Sequence, residues 1–115
     1  MAERIYRISE EIKREISNII QNDLKDPRLP EFVSVLSVDT TRDLRYAKVY
    51  VSVYGNEEEK KKAMEGLKNA AGFIRREIGQ RIKLRYTPEL LFELDNSIEY
   101  GIYINKLINE TIKGD

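Results

Sequence analysis

Between Phe73 and Pro88 the chain carries five cations, Arg75, Arg76, Arg81, Lys83 and Arg85, against a single acid, Glu77. A guanidinium group is a planar fork of N–H donors that matches phosphate oxygens and stacks on bases, so such a run suits a surface that grips an RNA backbone. The plainer reading is a solvated helix face, which charged runs usually are. A second set, Lys25, Arg28, Arg42, Arg45 and Lys48, is spread over segments that read as loops and a strand, where binding residues concentrate. Tyr46 and Tyr50 flank Lys48 at strand spacing. They form either a stacking platform for unpaired bases or the covered face of a packed sheet.

Much other chemistry is excluded. The 115 residues include no cysteine and no histidine, which removes thiol nucleophiles, thiolate zinc sites, disulfides and the commonest general base. Glu93, Asp95 and Glu99 are close enough in sequence to hold a hard cation or to act as an acid and base pair. Asp95 and Glu99 also fall where a helix start prefers negative charge, and capping is the simpler role. No cofactor or metal site is expected. Glu57-Glu58-Glu59 followed by Lys60-Lys61-Lys62 looks like a nucleic-acid patch, but acids and lysines three and four apart stabilise an exposed helix. Lys and Arg together number 20, as do Asp and Glu, so only an uneven distribution of charge argues for nucleic acid. That unevenness exists, because the last 27 residues carry six acids and two lysines.

The elements that must position these residues follow from periodicity. Ile5, Ile8, Ile12, Ile16 and Ile20 fall at steps of three and four, placing a first helix from about Ala2 to about Asn22. Asp26-Pro27-Arg28 ends it, since proline cannot donate the helical hydrogen bond and disfavours helix at the residue before it. Phe32 to Asp39 is rich in β-branched residues, and Tyr46 to Tyr54 alternates with Ala47, Val49, Val51 and Val53 on one face. Thr40-Thr41-Arg42-Asp43 between them suits a hairpin loop, so these strands should pair antiparallel. Asn56 and Glu59 form a capping box that starts a second helical stretch. Its stripe runs through Met64, Leu67, Ala71, Ile74, Ile78 and Ile82. Thr87-Pro88 opens a third strand, about Glu89 to Leu94, and Asn96 with Glu99 caps a short last helix.

Glycine inside a helical stripe costs about 1 kcal/mol relative to alanine, so Ala70-Ala71-Gly72 calls for a reason. The reading here is a kink that divides the stretch into two helices sharing one buried face, with small residues permitting close backbone approach and freed amides able to face a phosphate. A plain turn adjusting two helices to one sheet is the alternative. The helical crossover returns the third strand parallel to an earlier one, giving a small mixed sheet with helices packed on it. The chain length suits one domain over residues 1–115. The charged N-terminus and the absence of a long apolar run point to a cytoplasmic protein.

With these elements placed, the chain resembles the ribosome-binding factor A family from about Arg4 to Ile108. The carriers are RISEEIKREISNIIQNDLKDPR, AKVYVSVYG and LKNAAGFIRREIGQRIKLRYTPELLFELDNSIEYG. The resemblance implies an α+β, type II KH-like domain of order α-β-β-α-kink-α-β with a short C-terminal helix, in which an Ala-x-Gly kink replaces the Gly-x-x-Gly loop of ordinary KH domains. It also implies a non-catalytic factor, needed especially in the cold, that binds the free 30S ribosomal subunit, assists late maturation and processing of 16S rRNA, and leaves before translation. Some members of the family extend into a charged tail; here the sequence given stops at Asp115.

The expectation is thus a monomeric RNA-binding factor docking through Arg75, Arg76, Arg81, Lys83 and Arg85, supported by Lys25, Arg28, Arg42, Arg45 and Lys48. The rivals are a general single-stranded RNA module, a protein adaptor using the acidic C-terminal helix with Glu99 and Glu110, and a metal-dependent nuclease built on Glu93 or Asp95.

Overall fold

The structure is a computed structural model that describes residues 2–24 and 33–95. The predicted last helix and its capping box, together with Lys25, Pro27 and Arg28, lie outside the described residues. Helix α1 spans Ala2–Asn22, strand β1 Val33–Thr40, strand β2 Tyr46–Val53, helix α2 Glu57–Arg81 and strand β3 Glu89–Leu94.

The strand order is β1-β2-β3, with β1 antiparallel and β3 parallel to the central β2. The hairpin and the parallel return of the third strand therefore match the sequence expectation. Ala47, Val49, Val51 and Val53 of β2 and Leu90 and Phe92 of β3 are buried on one face. Helix α1 covers that face with Ile8, Ile12, Ile16, Ile19 and Ile20, and α2 covers it with Leu67, Ile74 and Ile78.

Strand β1 departs from simple alternation. Val35 pairs with Val51, but Ser37 pairs with Tyr50, which leaves Leu36 as an extra, unopposed residue. The extra residue reverses the parity of the strand. Val33, Val35, Val38 and Thr40 consequently all stand opposite the core-facing positions of β2, whereas strict alternation would have put Ser37 and Asp39 there. Ser9 of α1 donates a 2.7 Å hydrogen bond to the Thr40 hydroxyl inside this layer, and both residues are buried.

One expectation is corrected. Helix α2 is a single 25-residue helix that runs without a break through Ala70, Ala71 and Gly72, so there is no interhelical kink and no set of freed amides there. A Cβ built on Gly72 meets nothing within 4 Å, so no neighbouring backbone requires glycine at that point. The reason lies in magnitudes. A helical glycine costs about 1 kcal/mol, while each large aliphatic side chain buried along the continuous stripe contributes about 1.5–3 kcal/mol. Keeping Leu67, Ile74 and Ile78 on one face outweighs the glycine. At the other end the predicted capping box is present: Glu59 N donates to Asn56 Oδ1 at 2.8 Å and Asn56 N donates to Glu59 Oε1 at 3.2 Å.

Lys60 also differs from its neighbours. Lys62 pairs with Glu58 at 3.7 Å on an exposed surface, as its spacing predicts, but Lys60 is buried with its ammonium 3.9 Å from Glu57.

Candidate nucleic-acid interface

The C-terminal half of α2 and the loop to β3 hold the first basic set. Ile74, Ile78 and Ile82 bury one face, so Arg75 and Arg76 project from the other side of the helix and are exposed. Ile82 closes the helix by donating its amide to Ile78 O at 2.8 Å. Beyond it Lys83 and Arg85 are exposed, and the guanidinium of Arg85 lies 5.9 Å from the centre of the Tyr86 ring, within reach of a cation–π contact.

This loop is fastened back onto α2. Arg75 donates from Nε at 3.1 Å and from Nη2 at 2.9 Å to the carbonyl of Thr87. Glu89, two residues on, donates its amide to Arg45 O at 2.8 Å and so ties the start of β3 to the β1–β2 hairpin. Arg75 is therefore engaged as a clamp, while Arg76, Lys83 and Arg85 remain directed to solvent.

Arg81 has three carboxylates around it. Its Nη2 lies 2.6 Å from Asp23 and 3.4 Å from Glu77, and its Nη1 lies 3.3 Å from Glu15. Glu15 belongs to α1, Asp23 follows it and Glu77 is one turn back on α2, so the group joins the C-terminal ends of both helices. The hydrogen bond that Arg81 donates to Asp23, reinforced by the one to Glu15, pushes the arginine pKa further above its ordinary value and keeps it charged. Little of this guanidinium is left to meet a phosphate.

The second basic set divides. Lys25 and Arg28 lie outside the described residues. Arg42 sits in the hairpin loop, exposed, and Arg45 stands 3.9 Å from Asp43. The hairpin is organised by Thr41, whose hydroxyl donates to Asp43 at 2.7 Å and accepts from Tyr46 N at 3.1 Å. That hydroxyl, with the amide of Arg45, holds the Asp43 carboxyl below its ordinary value of 3.8. Leu44 adopts φ 61°, a left-handed conformation that non-glycine residues seldom take, and turns its side chain against the core. Lys48 is exposed on the outer face of β2 between the exposed Tyr46 and the half-buried Tyr50.

Arg4, Glu15 and Asp23 were not singled out by sequence, and Thr87 was read only as the opening of a strand. Glu15 and Asp23 meet Arg81 across 66 and 58 residues, and no local pattern signals such pairs. Among the described residues there is no cluster of three or more acids that could hold a metal ion, and no helix is long and apolar enough to cross a membrane.

Comparison with known proteins agrees with the sequence resemblance. The family model described as Ribosome-binding factor A matches residues 4–108. A ribosome-binding factor A from Acetivibrio thermocellus is 74% identical over 109 residues, covering 95% of this chain and 89% of that one. A second, from Caldanaerobacter subterraneus subsp. tengcongensis, is 58% identical over 113 residues, covering 98% and 93%. Among solved structures, the crystal structure of ribosome-binding factor A from Thermus thermophilus superposes with a TM-score of 0.69 at 28% identity, covering 78% of this chain and 94% of that one. A homology model of the Thermus thermophilus factor, fitted into a cryo-EM map of a 30S–RbfA complex, gives 0.65 at 26% identity, covering 80% and 96%. The chain belongs to the ribosome-binding factor A family.

Proposed function

We propose that the protein is a non-catalytic assembly factor that binds the free 30S subunit through 16S rRNA and assists late maturation and processing of that RNA. The observation that carries this reading is the exposed cation set of Arg76 on α2 with Lys83 and Arg85 on the following loop, which Arg75 clamps through Thr87 O. Family membership and the 30S complex of the Thermus thermophilus relative support it. In this reading Arg75 and Arg81 are positioning residues, and Arg76, Lys83 and Arg85 touch phosphate, with Lys25, Arg28, Arg42, Arg45 and Lys48 as supporting contacts.

The unit β2-α2-β3 is read as KH-like, with a continuous helix where ordinary KH domains place a Gly-x-x-Gly loop. The protein works as a cytoplasmic monomer, matters most in the cold, and holds one conformation of the RNA by binding it better than the alternatives. Phosphate contacts make the affinity fall steeply with salt.

The test is cosedimentation with purified 30S subunits and with complete ribosomes, using wild type and a variant combining Arg76→Glu, Lys83→Glu and Arg85→Glu. Wild type should sediment with 30S alone, and the variant should stay in the supernatant with an unchanged thermal melt. Equal binding of wild type to 30S and complete ribosomes, or undiminished binding by the folded variant, would reject the reading.

A further inference from the structure

Two depressions adjoin at the hairpin end of the molecule and share Ile5 and Arg42. The larger, about 660 Å³, lies between the first turn of α1, the hairpin and the outer face of the sheet. Sites that take small organic groups span roughly 300–1,000 Å³, so it is large enough for a nucleoside. Tyr46 and Leu91 line it and expose 43% and 38% of their surfaces, an aromatic ring and an aliphatic side chain left open to solvent. The smaller, about 190 Å³, adds Arg4 and an apolar floor of Ile8 and Leu44.

The charges of this groove are uncommitted. Arg4, Arg42 and Lys48 have no ion-pair partner among the described residues, in contrast to Arg81 with its three carboxylates. Asp39, which lines the larger depression and pairs in register with Lys48, also forms no ion pair there. Three free cations around an exposed aromatic ring match the two parts of an unpaired nucleotide, a phosphate to neutralise and a base to stack. A peptide partner of matching charge would have to be acidic and would leave no use for the ring beside the cations.

We propose that this double groove binds an unpaired RNA nucleotide, stacking its base against Tyr46 beside Leu91 and holding its flanking phosphates with Arg4, Arg42 and Lys48. A carboxylate only accepts hydrogen bonds, so Asp39 suits the open amino group of cytosine, whereas the lone N3–H of uracil lies between two carbonyl oxygens that repel a carboxylate. The inference rests on the RNA-binding reading above but uses a different surface from Arg76, Lys83 and Arg85.

The experiment is fluorescence anisotropy of the full chain with labelled short oligocytidylate and oligouridylate across a salt series, alongside 30S cosedimentation. Wild type should prefer oligocytidylate, and Tyr46→Ala should weaken binding at least about fivefold. Arg42→Ala and Lys48→Ala should each flatten the dependence of log affinity on log salt by about 0.7. Asp39→Asn, whose amide both donates and accepts, should abolish the preference for cytosine. These side chains are exposed, and a thermal melt confirms that each variant folds. Oligonucleotide binding unaltered by Tyr46→Ala and Arg42→Ala would overturn the inference while 30S binding by wild type leaves the proposed function standing. Loss of 30S binding without loss of oligonucleotide binding in these variants would assign the groove to a protein and also overturn it. Failure of wild type to bind 30S would instead reject the proposed function.

Discussion

A Cβ placed on Gly79 would lie 2.9 Å from the hydroxyl oxygen of Thr87, closer than real side chains approach. Helix α2 and the loop ahead of β3 meet at this point, and Arg75 closes the same junction through the Thr87 carbonyl. Gly79→Ala should therefore destabilise the protein by about 1–3 kcal/mol, as overpacked contacts do. Thr87→Ala in the same chain should recover most of that loss, and urea unfolding of the two single variants and the double variant measures the coupling.

Gly72 should behave in the opposite way. It is helical, exposed and open on its Cβ side, so Gly72→Ala should stabilise the protein by about 1 kcal/mol. Equilibrium unfolding checks the gain. A loss of stability would show that α2 needs glycine there.

The buried pair Ser9 and Thr40 links α1 to the end of β1 through one hydrogen bond. Thr40→Val strands the Ser9 hydroxyl without an acceptor and should cost about 1–3 kcal/mol, whereas Ser9→Ala with Thr40→Val should fall close to wild type because no donor is left unpaired. The midpoint of chemical unfolding separates the two cases.

Asp43 supplies a pH dependence of known sign. Its folded carboxyl is depressed, chiefly by the Thr41 hydroxyl, so its contribution is present above the ordinary value of 3.8 and is lost as pH falls through the depressed folded value. Wild type should be more stable than Asp43→Asn at neutral pH, and the difference should shrink as the solution is acidified below pH 4. Thermal melts of both proteins over an acid series would show it, and a difference that widened towards low pH would contradict the sign.

Much of the fold was legible because its signals are local and repeated. Five isoleucines at helical spacing mark α1 from Ala2 to Asn22, and Leu90 with Phe92 marks β3 from Glu89 to Leu94, both with the boundaries observed. The hairpin and the Asn56–Glu59 capping box are likewise short-range. Gly72 misled because its helix-weakening effect is local, while the burial that overrides it comes from Leu67, Ile74 and Ile78 packing on a sheet. The bulge at Leu36 was invisible, since FVSVLSVD alternates well enough to conceal an inserted residue. For the candidate interface, residue type identified the cations but could not tell which are occupied. Arg76, Lys83 and Arg85 face solvent, whereas Arg75 and Arg81 are held by partners that only the tertiary fold brings near. The groove holding Arg4, Arg42 and Lys48 is assembled from segments remote in sequence.

The unopposed Leu36 gives strand β1 one residue to spare. Removing it would leave Val33, Val35, Val38 and Thr40 opposite Val53, Val51, Val49 and Ala47 in plain alternation, so the valines would stay beneath the isoleucines of α1. Removing Asp39 with Thr40 held in place would instead shift Val38 to the outer face and Ser37 to the inner one. A single-codon deletion is thus absorbed at the bulge and disruptive beyond it.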